Sequence, residues 1–345
     1  MMITSREHSS SLVYGKSSYI ENLASTELGC YDVAIVTRGW EERCINITKS
    51  ASLTTEHTIL ICFEPVDSRG LSKNNESCID RYFDGCSKSY IKIEGASSNP
   101  DEHFTRILSY VVDVRIAKHR PLSILVDLNT CPPYYTIGII GKCLGTGIAS
   151  TIDYFYSEVS YEEHHIIAKK KLNDTPVFTG GEWRLNPVPG IFNHPDFTAR
   201  DDCIVSLGWE GEKTLRAVSR LDPNRLHVLF PDPGFRDGYS ETTRQQNDEL
   251  FRQYAIEDDH IIRAHAGDAI EAWISLEKAG IENPERNMYY VVCGTKPHAL
   301  GVALRAITYK DRRTLLYPVP NSYNISLSFS TGKHWLYSCN DLAIL

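Results

Sequence analysis

Asn287–Tyr309, NMYYVVCGTKPHALGVALRAITY, contains a complete strand, turn and helix. Met288–Cys293 is an unbroken apolar run of strand length, the pattern of a strand buried on both faces. Gly294-Thr295-Lys296-Pro297 breaks the run, and Leu300, Ala303, Leu304 and Ile307 then recur at helical spacing. Thr295 suits an N-cap, and Pro297 sits where the first helical turn tolerates it. Such a turn aims backbone N–H groups and the positive end of a helix at one point, with Lys296 beside it. That arrangement suits a phosphate or another anion. The same turn also serves packing alone, so both readings stay open here.

The unit is one of a series. Strand-like runs at Cys203–Leu207, Leu226–Phe230, His260–Ala264, Met288–Cys293 and Thr314–Pro318 alternate with helical patterns at Glu212–Leu221, Thr242–Tyr254, Ala269–Ala279 and Pro297–Tyr309. Upstream, strands at Asp32–Thr37, Thr58–Phe63, Tyr90–Glu94, Leu122–Leu128 and Ile152–Tyr156 alternate with helices at Glu41–Ser52, Leu71–Phe83, Asp101–His119 and Pro133–Leu144. Alternation of this kind predicts parallel, doubly wound sheets. Residues 1–30 are polar and read as a lead-in, 31–161 as a first Rossmann-like unit, and 201–345 as a second. Residues 162–200 read as a linker or crossing segment: Tyr161–Leu172 is polar and helix-compatible, and Thr175–Pro195 then holds enough Pro and Gly to break regular structure. Ser326–Ser338 is expected to close the chain as a β-hairpin around Thr331-Gly332.

The second series repeats the first. Arg38-Gly39-Trp40-Glu41 follows the first strand, as Leu207-Gly208-Trp209-Glu210 does in the second half. Phe63-Glu64-Pro65 returns loosely as Phe230-Pro231-Asp232-Pro233, and Asn129-Thr130-Cys131-Pro132 matches Gly294-Thr295-Lys296-Pro297. Tyr156 and Tyr161 answer Tyr317 and Tyr323. A period this long means two copies of one domain rather than a solenoid. The fold class expected is therefore α/β: two tandem Rossmann-like doubly wound parallel sheets related by an internal repeat, with a C-terminal hairpin.

Composition narrows the partners. The 345 residues carry a net charge of −8, with 42% hydrophobic and 23% charged residues. Sizeable cores are available, and a surface that coats duplex nucleic acid is not expected. Ten cysteines without a Cys-x-x-Cys spacing read as reduced thiols of a cytoplasmic protein, not as a zinc site. No apolar run is long enough for a membrane span, and the start of the chain is unlike a signal peptide.

Ligands of open parallel sheets bind beyond the carboxyl ends of the strands, where every repeated motif falls. The candidate ligand-binding residues are Arg38, Gly39, Trp40, Glu41, Asp127, Thr130, Gly208, Trp209, Glu210, Asp232, Gly294, Thr295, Lys296 and Pro297. Each tryptophan is either a base-stacking platform or a staple between loop and sheet. Glu41 and Glu210 suit the start of a helix, and Arg43, Lys213 and Lys333 are further cations near a phosphate site. His265 and His298 follow strands and are rim candidates too. Gly-x-Gly-x-x-Gly, Walker A and Gly-x-Ser-x-Gly motifs are all absent, so no catalytic set, metal site or cofactor is assigned.

The Gly294-Thr295-Lys296-Pro297 turn after a fourth strand resembles that of CARF domains, the CRISPR-associated Rossmann fold, whose other ligand loop follows the first strand. Two such units in one chain are similar to SAVED domains of prokaryotic antiviral systems. The resemblance implies a sensor of a nucleotide or cyclic oligonucleotide signal in antiphage defence. With no room in the chain for an effector domain, output would pass to a partner effector protein or through self-association. The first copy has Cys131 in place of the lysine, which favours an asymmetric site centred on the second half. A nucleotide-processing enzyme, such as a phosphodiesterase or ring nuclease, and a structural subunit with a degenerate cleft are the alternatives.

Overall fold

The computed structural model describes residues 5–64, 71–94, 99–160, 179–192, 199–309, 312–323 and 329–343. Pro65, Tyr161 and the helix-compatible 161–172 lie outside the described residues. In chain order the strands are β1 (Ser5–Ser9), β2 (Val13–Ile20), β3 (Glu27–Arg38), β4 (Ser52–Glu64), β5 (Ser87–Glu94), β6 (Leu122–Asp127) and β7 (Ala149–Ser160). There follow β8 (Thr179–Phe192), β9 (Asp201–Ser206), β10 (Arg225–Pro231), β11 (Ile261–Ala264), β12 (Asn287–Val292), β13 (Arg313–Tyr323) and β14 (Phe329–Asp341). The chain divides into two compact units, 1–161 with 321–345, and 162–320.

The first unit holds an eight-stranded sheet ordered β1-β2-β14-β7-β6-β3-β4-β5, and the second a six-stranded sheet ordered β11-β10-β9-β12-β13-β8. Within each, the five strands expected from the sequence are parallel neighbours. Their order is the same in both: fifth, fourth, first, second, third. The cores are apolar on the pattern expected of doubly covered strands. Val36, Leu60, Leu125 and Phe155 cluster with Ile79 and Phe83 in the first unit. Val205, Val228 and Val291 cluster with Val218 and Leu250 in the second.

Local chemistry explains where the helices stop and start. Ala269–Ala279 occupies its expected span, with Asp268 accepting the Ile270 and Glu271 amides and Gly280 leaving at φ +57°. The expected helix Thr242–Tyr254 is instead Tyr239–Gln246 and Asp248–Gln253, broken at Asn247. Glu42–Lys49 is a 3₁₀ helix where an α-helix was expected. Lys296–Thr308 packs on Ala269–Ala279 through Gly301, where a Cβ would stand 2.5 Å from the Ala269 carbonyl oxygen.

Three expected segments behave differently. The lead-in 1–30 contains β1 and β2, an antiparallel pair joined to the first sheet through β14. Val13 and Ile20 supply its buried positions. The supposed linker 162–200 contains β8, the strand at the end of the second sheet. Pro187 and Pro189 are tolerated there because an edge strand has one side free of ladder hydrogen bonds. The expected C-terminal hairpin is the single strand β14, and it belongs to the first unit. It runs antiparallel between β7 and β2, with its register shifting between Ser330 and His334. Gly332, at φ +81°, forms an irregularity in the strand where a turn was expected. The sheet of the first unit is therefore mixed rather than purely parallel.

Candidate functional site at the strand switch points

With this strand order the chain leaves the first strand to one side and returns to the other side as the fourth. The crevice beyond the carboxyl ends of those two strands is the topological switch point, where open α/β sheets place their ligands. It lies at β3 and β6 in the first unit and at β9 and β12 in the second. Arg38–Glu41 with Asp127 and Thr130 occupy the first, and Gly208–Glu210 with Gly294–Pro297 the second. Asp232 does not join them. It follows β10, 47% exposed and 3.8 Å from Arg263, beside a separate cavity of about 560 Å³ lined in part by Phe230, Arg244 and Phe251.

In the second unit the two loops press together because neither has a side chain at the contact. A Cβ on Gly208 would meet the Cys293 carbonyl oxygen at 2.3 Å, and one on Gly294 the Leu207 oxygen at 2.8 Å. Ser206 Oγ accepts the amides of Cys293 and Gly294 at 3.2 and 3.0 Å. Thr295 caps its helix as expected, accepting from the His298 amide at 3.3 Å and donating to the Ala266 carbonyl at 2.8 Å. With the Gly294 and His298 amides engaged and Pro297 lacking one, the turn has few backbone amides to offer a ligand. Lys296 is half-buried at the first helical position. The buried His298 ring donates from Nε2 to the His265 carbonyl at 3.1 Å. Burial lowers its pKa to about 4, so it is neutral and adds no cation.

Other candidates in this unit are structural. Trp209 is buried, its Nε1 donating to Thr243 Oγ1 at 3.1 Å and its ring edge-on to Tyr239 at 4.7 Å. It is a staple rather than a stacking platform. Glu210 accepts from the Thr179 amide and hydroxyl at 3.0 and 2.6 Å and pairs with buried Lys213 at 3.1 Å. Lys213 is thus neutralised, and it lies over the Tyr317 ring.

The first unit makes the same joints with different residues. Glu41 pairs at 2.8 Å with buried Arg43, whose other nitrogen donates to the Ser157 carbonyl of β7. Asn75 donates to the Gly39 carbonyl at 3.0 Å, as Asn247 does to that of Gly208 at 2.7 Å. Arg38 turns away to Glu76 and Asp80 at 2.8 and 3.4 Å, so it is a structural ion pair and not a phosphate ligand. Asp127 is buried and accepts the Asn129 amide. Asn129 in turn accepts the Ser157 amide, and Ser157 Oγ meets Asn46 and His334. Asn75, Asn247, Ser157 and His334 were not singled out from the sequence, whereas Ser206 leads into the repeated Leu207–Glu210 motif. Asn75 comes from a helix, Asn247 from the break between two helices, Ser157 from β7 and His334 from β14, at no fixed spacing from the motifs they hold.

Among the described residues no cluster of three His, Cys, Asp or Glu side chains is placed to hold a metal ion, and no helix is long and apolar enough to cross a membrane. No family model matches the chain, and no curated protein matches it in sequence. Among solved structures, the cytoplasmic domain of a prokaryotic cation chloride cotransporter overlaps 86% of this chain and 96% of its own. The identity is 9% and the TM-score 0.21, too low to carry an argument about role.

Proposed function

We propose that this chain is a sensor-type binding protein whose second unit holds a phosphorylated, nucleotide-derived ligand at the β9–β12 switch point. The observation that supports this is the convergence of the two repeated loops there, with Lys296 opening the helix after β12. A cation and a capped helix start at a switch point are the parts a phosphate site needs. The shared strand order, the Asn-to-Gly carbonyl bond and the Glu–cation pair in both halves favour a duplicated domain. The resemblance to CARF and SAVED domains makes cyclic oligonucleotides the first ligands to try. It also makes antiphage signalling, through a partner effector or self-association, the setting of this proposal. Binding is favoured over catalysis because the ionisable groups near the second switch point are engaged: Glu210 with Lys213 and Thr179, and His298 beneath the helix.

The test is a thermal-shift screen with mono-, di- and cyclic oligonucleotides, followed by product analysis of each hit. A ligand at 100 times its dissociation constant stabilises by about 2.7 kcal/mol. Stabilisation by an intact phosphorylated ligand is expected. Absence of any shift across the phosphorylated set removes the sensor reading, and turnover of the hit replaces it with the enzyme.

A further inference from the structure

The two switch points differ in how their donors are used. Trp40 Nε1 and Thr130 Oγ1 are buried atoms with no hydrogen-bond partner. Trp40 follows β3 and Thr130 follows β6, the two strands that bound the crevice of the first unit. Their counterparts in the second unit are satisfied, Trp209 Nε1 by Thr243 and Thr295 Oγ1 by the Ala266 carbonyl. The same motif thus closes on itself in one copy and leaves two donors unmet in the other. Buried donors without acceptors are few in native proteins, so each calls for an explanation. An indole N–H can only donate, and a threonine hydroxyl donates readily.

The charges nearby say what would be accepted. Arg38 is neutralised by Glu76 and Asp80, Arg43 by Glu41, and Cys131 stands where the second copy has Lys296. With the Asp127 carboxylate also buried there, the crevice offers donors without a net positive charge, which favours a neutral acceptor over a phosphate. The half-buried Trp40 ring adds a surface on which a flat group can stack. We infer that the first unit's switch point is a separate subsite for an uncharged, planar, acceptor-bearing group of the nucleobase kind, held by the Trp40 N–H and the Thr130 hydroxyl. It rests on the nucleotide reading for its ligand class but not on Lys296.

Nucleosides (adenosine, guanosine, cytidine and uridine) test it, since they carry no phosphate. Thr130→Val removes the hydroxyl at constant shape, and Trp40→Phe removes the N–H while keeping an aromatic ring. The free variants are expected to melt no lower than wild type in the first case and within a degree or two in the second, while Trp209→Phe, which breaks a formed bond, melts clearly lower. Titration of the nucleoside bound best by wild type is expected to weaken at least tenfold in both first-unit variants and to be unchanged in Lys296→Ala. No nucleoside binding to wild type overturns the inference, as does unchanged affinity in both variants. A melting loss in Thr130→Val equal to that of Trp209→Phe also overturns it, because the hydroxyl is then satisfied by water within the fold. A phosphate site that fails leaves its own mark, an unaffected phosphorylated ligand in Lys296→Ala, so the two failures are separable.

Discussion

Deleting residues 329–345 is expected to unfold the first unit and leave the second folded. The deleted stretch contains β14, which is not an appendage. It pairs through His334–Asp341 with β2 and through Phe329–Asn340 with β7, so without it β1 and β2 lose their sheet. Trp335, Tyr337 and Cys339 are buried, and Asp341 accepts the Gly145 amide at 2.6 Å. Burying a large apolar side chain contributes about 1.5–3 kcal/mol. Losing several at once, together with a ladder on each side, approaches the whole stability of a domain, about 5–15 kcal/mol. Hydrogen exchange read by peptide should lose protection across 5–160 and keep it across 199–309. Retained protection in the first unit would mean that β14 is dispensable to it.

Gly208→Ala should have the next largest effect, and Gly39→Ala, at the corresponding place after the first strand of the other unit, almost none. The new Cβ would lie 2.3 Å from the Cys293 carbonyl oxygen, a backbone atom that cannot rotate aside, whereas nothing stands within 4 Å of a Cβ at Gly39. Forcing atoms into a packed contact costs about 1–3 kcal/mol. Relief requires the loop after β9 to move away from the turn after β12, so ligand binding at that crevice should be lost as well. Urea denaturation of the two variants checks the first statement and titration the second. Equal midpoints for Gly39→Ala and Gly208→Ala would show that the loops are not pressed together as described.

The strands that could be read from the sequence are those buried on both faces, where a continuous apolar run is the whole signal. β8 hid behind Pro187, Pro189 and Gly190, residues that punctuate a loop elsewhere but fit an edge strand. β14 was visible as strand, but its partners lie far away in the chain. Thr331-Gly332 has the composition of a turn although Gly332 serves an irregularity inside a strand. At the site, the motifs located the switch points because β3, β6, β9 and β12 end there. Motif residues do not name their partners. Nothing local ties Asn247 to Gly208, and the buried Glu210–Lys213 pair looks in sequence like two charges on an exposed helical turn. Trp40 and Trp209 occupy matching positions, yet only the second finds an acceptor: Thr243 stands four residues before Asn247, and the residue four before Asn75 is Leu71, which carries none.

In the proposed function, Lys296 and its turn hold a phosphate group. Calorimetric titration of Lys296→Ala with the best phosphorylated ligand of the screen tests it most directly, with Cys131→Ala, at the matching position of the first unit, as control. Charge-assisted hydrogen bonds are roughly twice as strong as neutral ones, so affinity should fall at least tenfold, about 1.4 kcal/mol. Stability should barely change, since a lysine at a helix start opposes the dipole, and Cys131→Ala should bind as wild type does. Equal affinity for Lys296→Ala and wild type would rule out a phosphate site at Lys296 and leave the turn as packing between β12 and its helix.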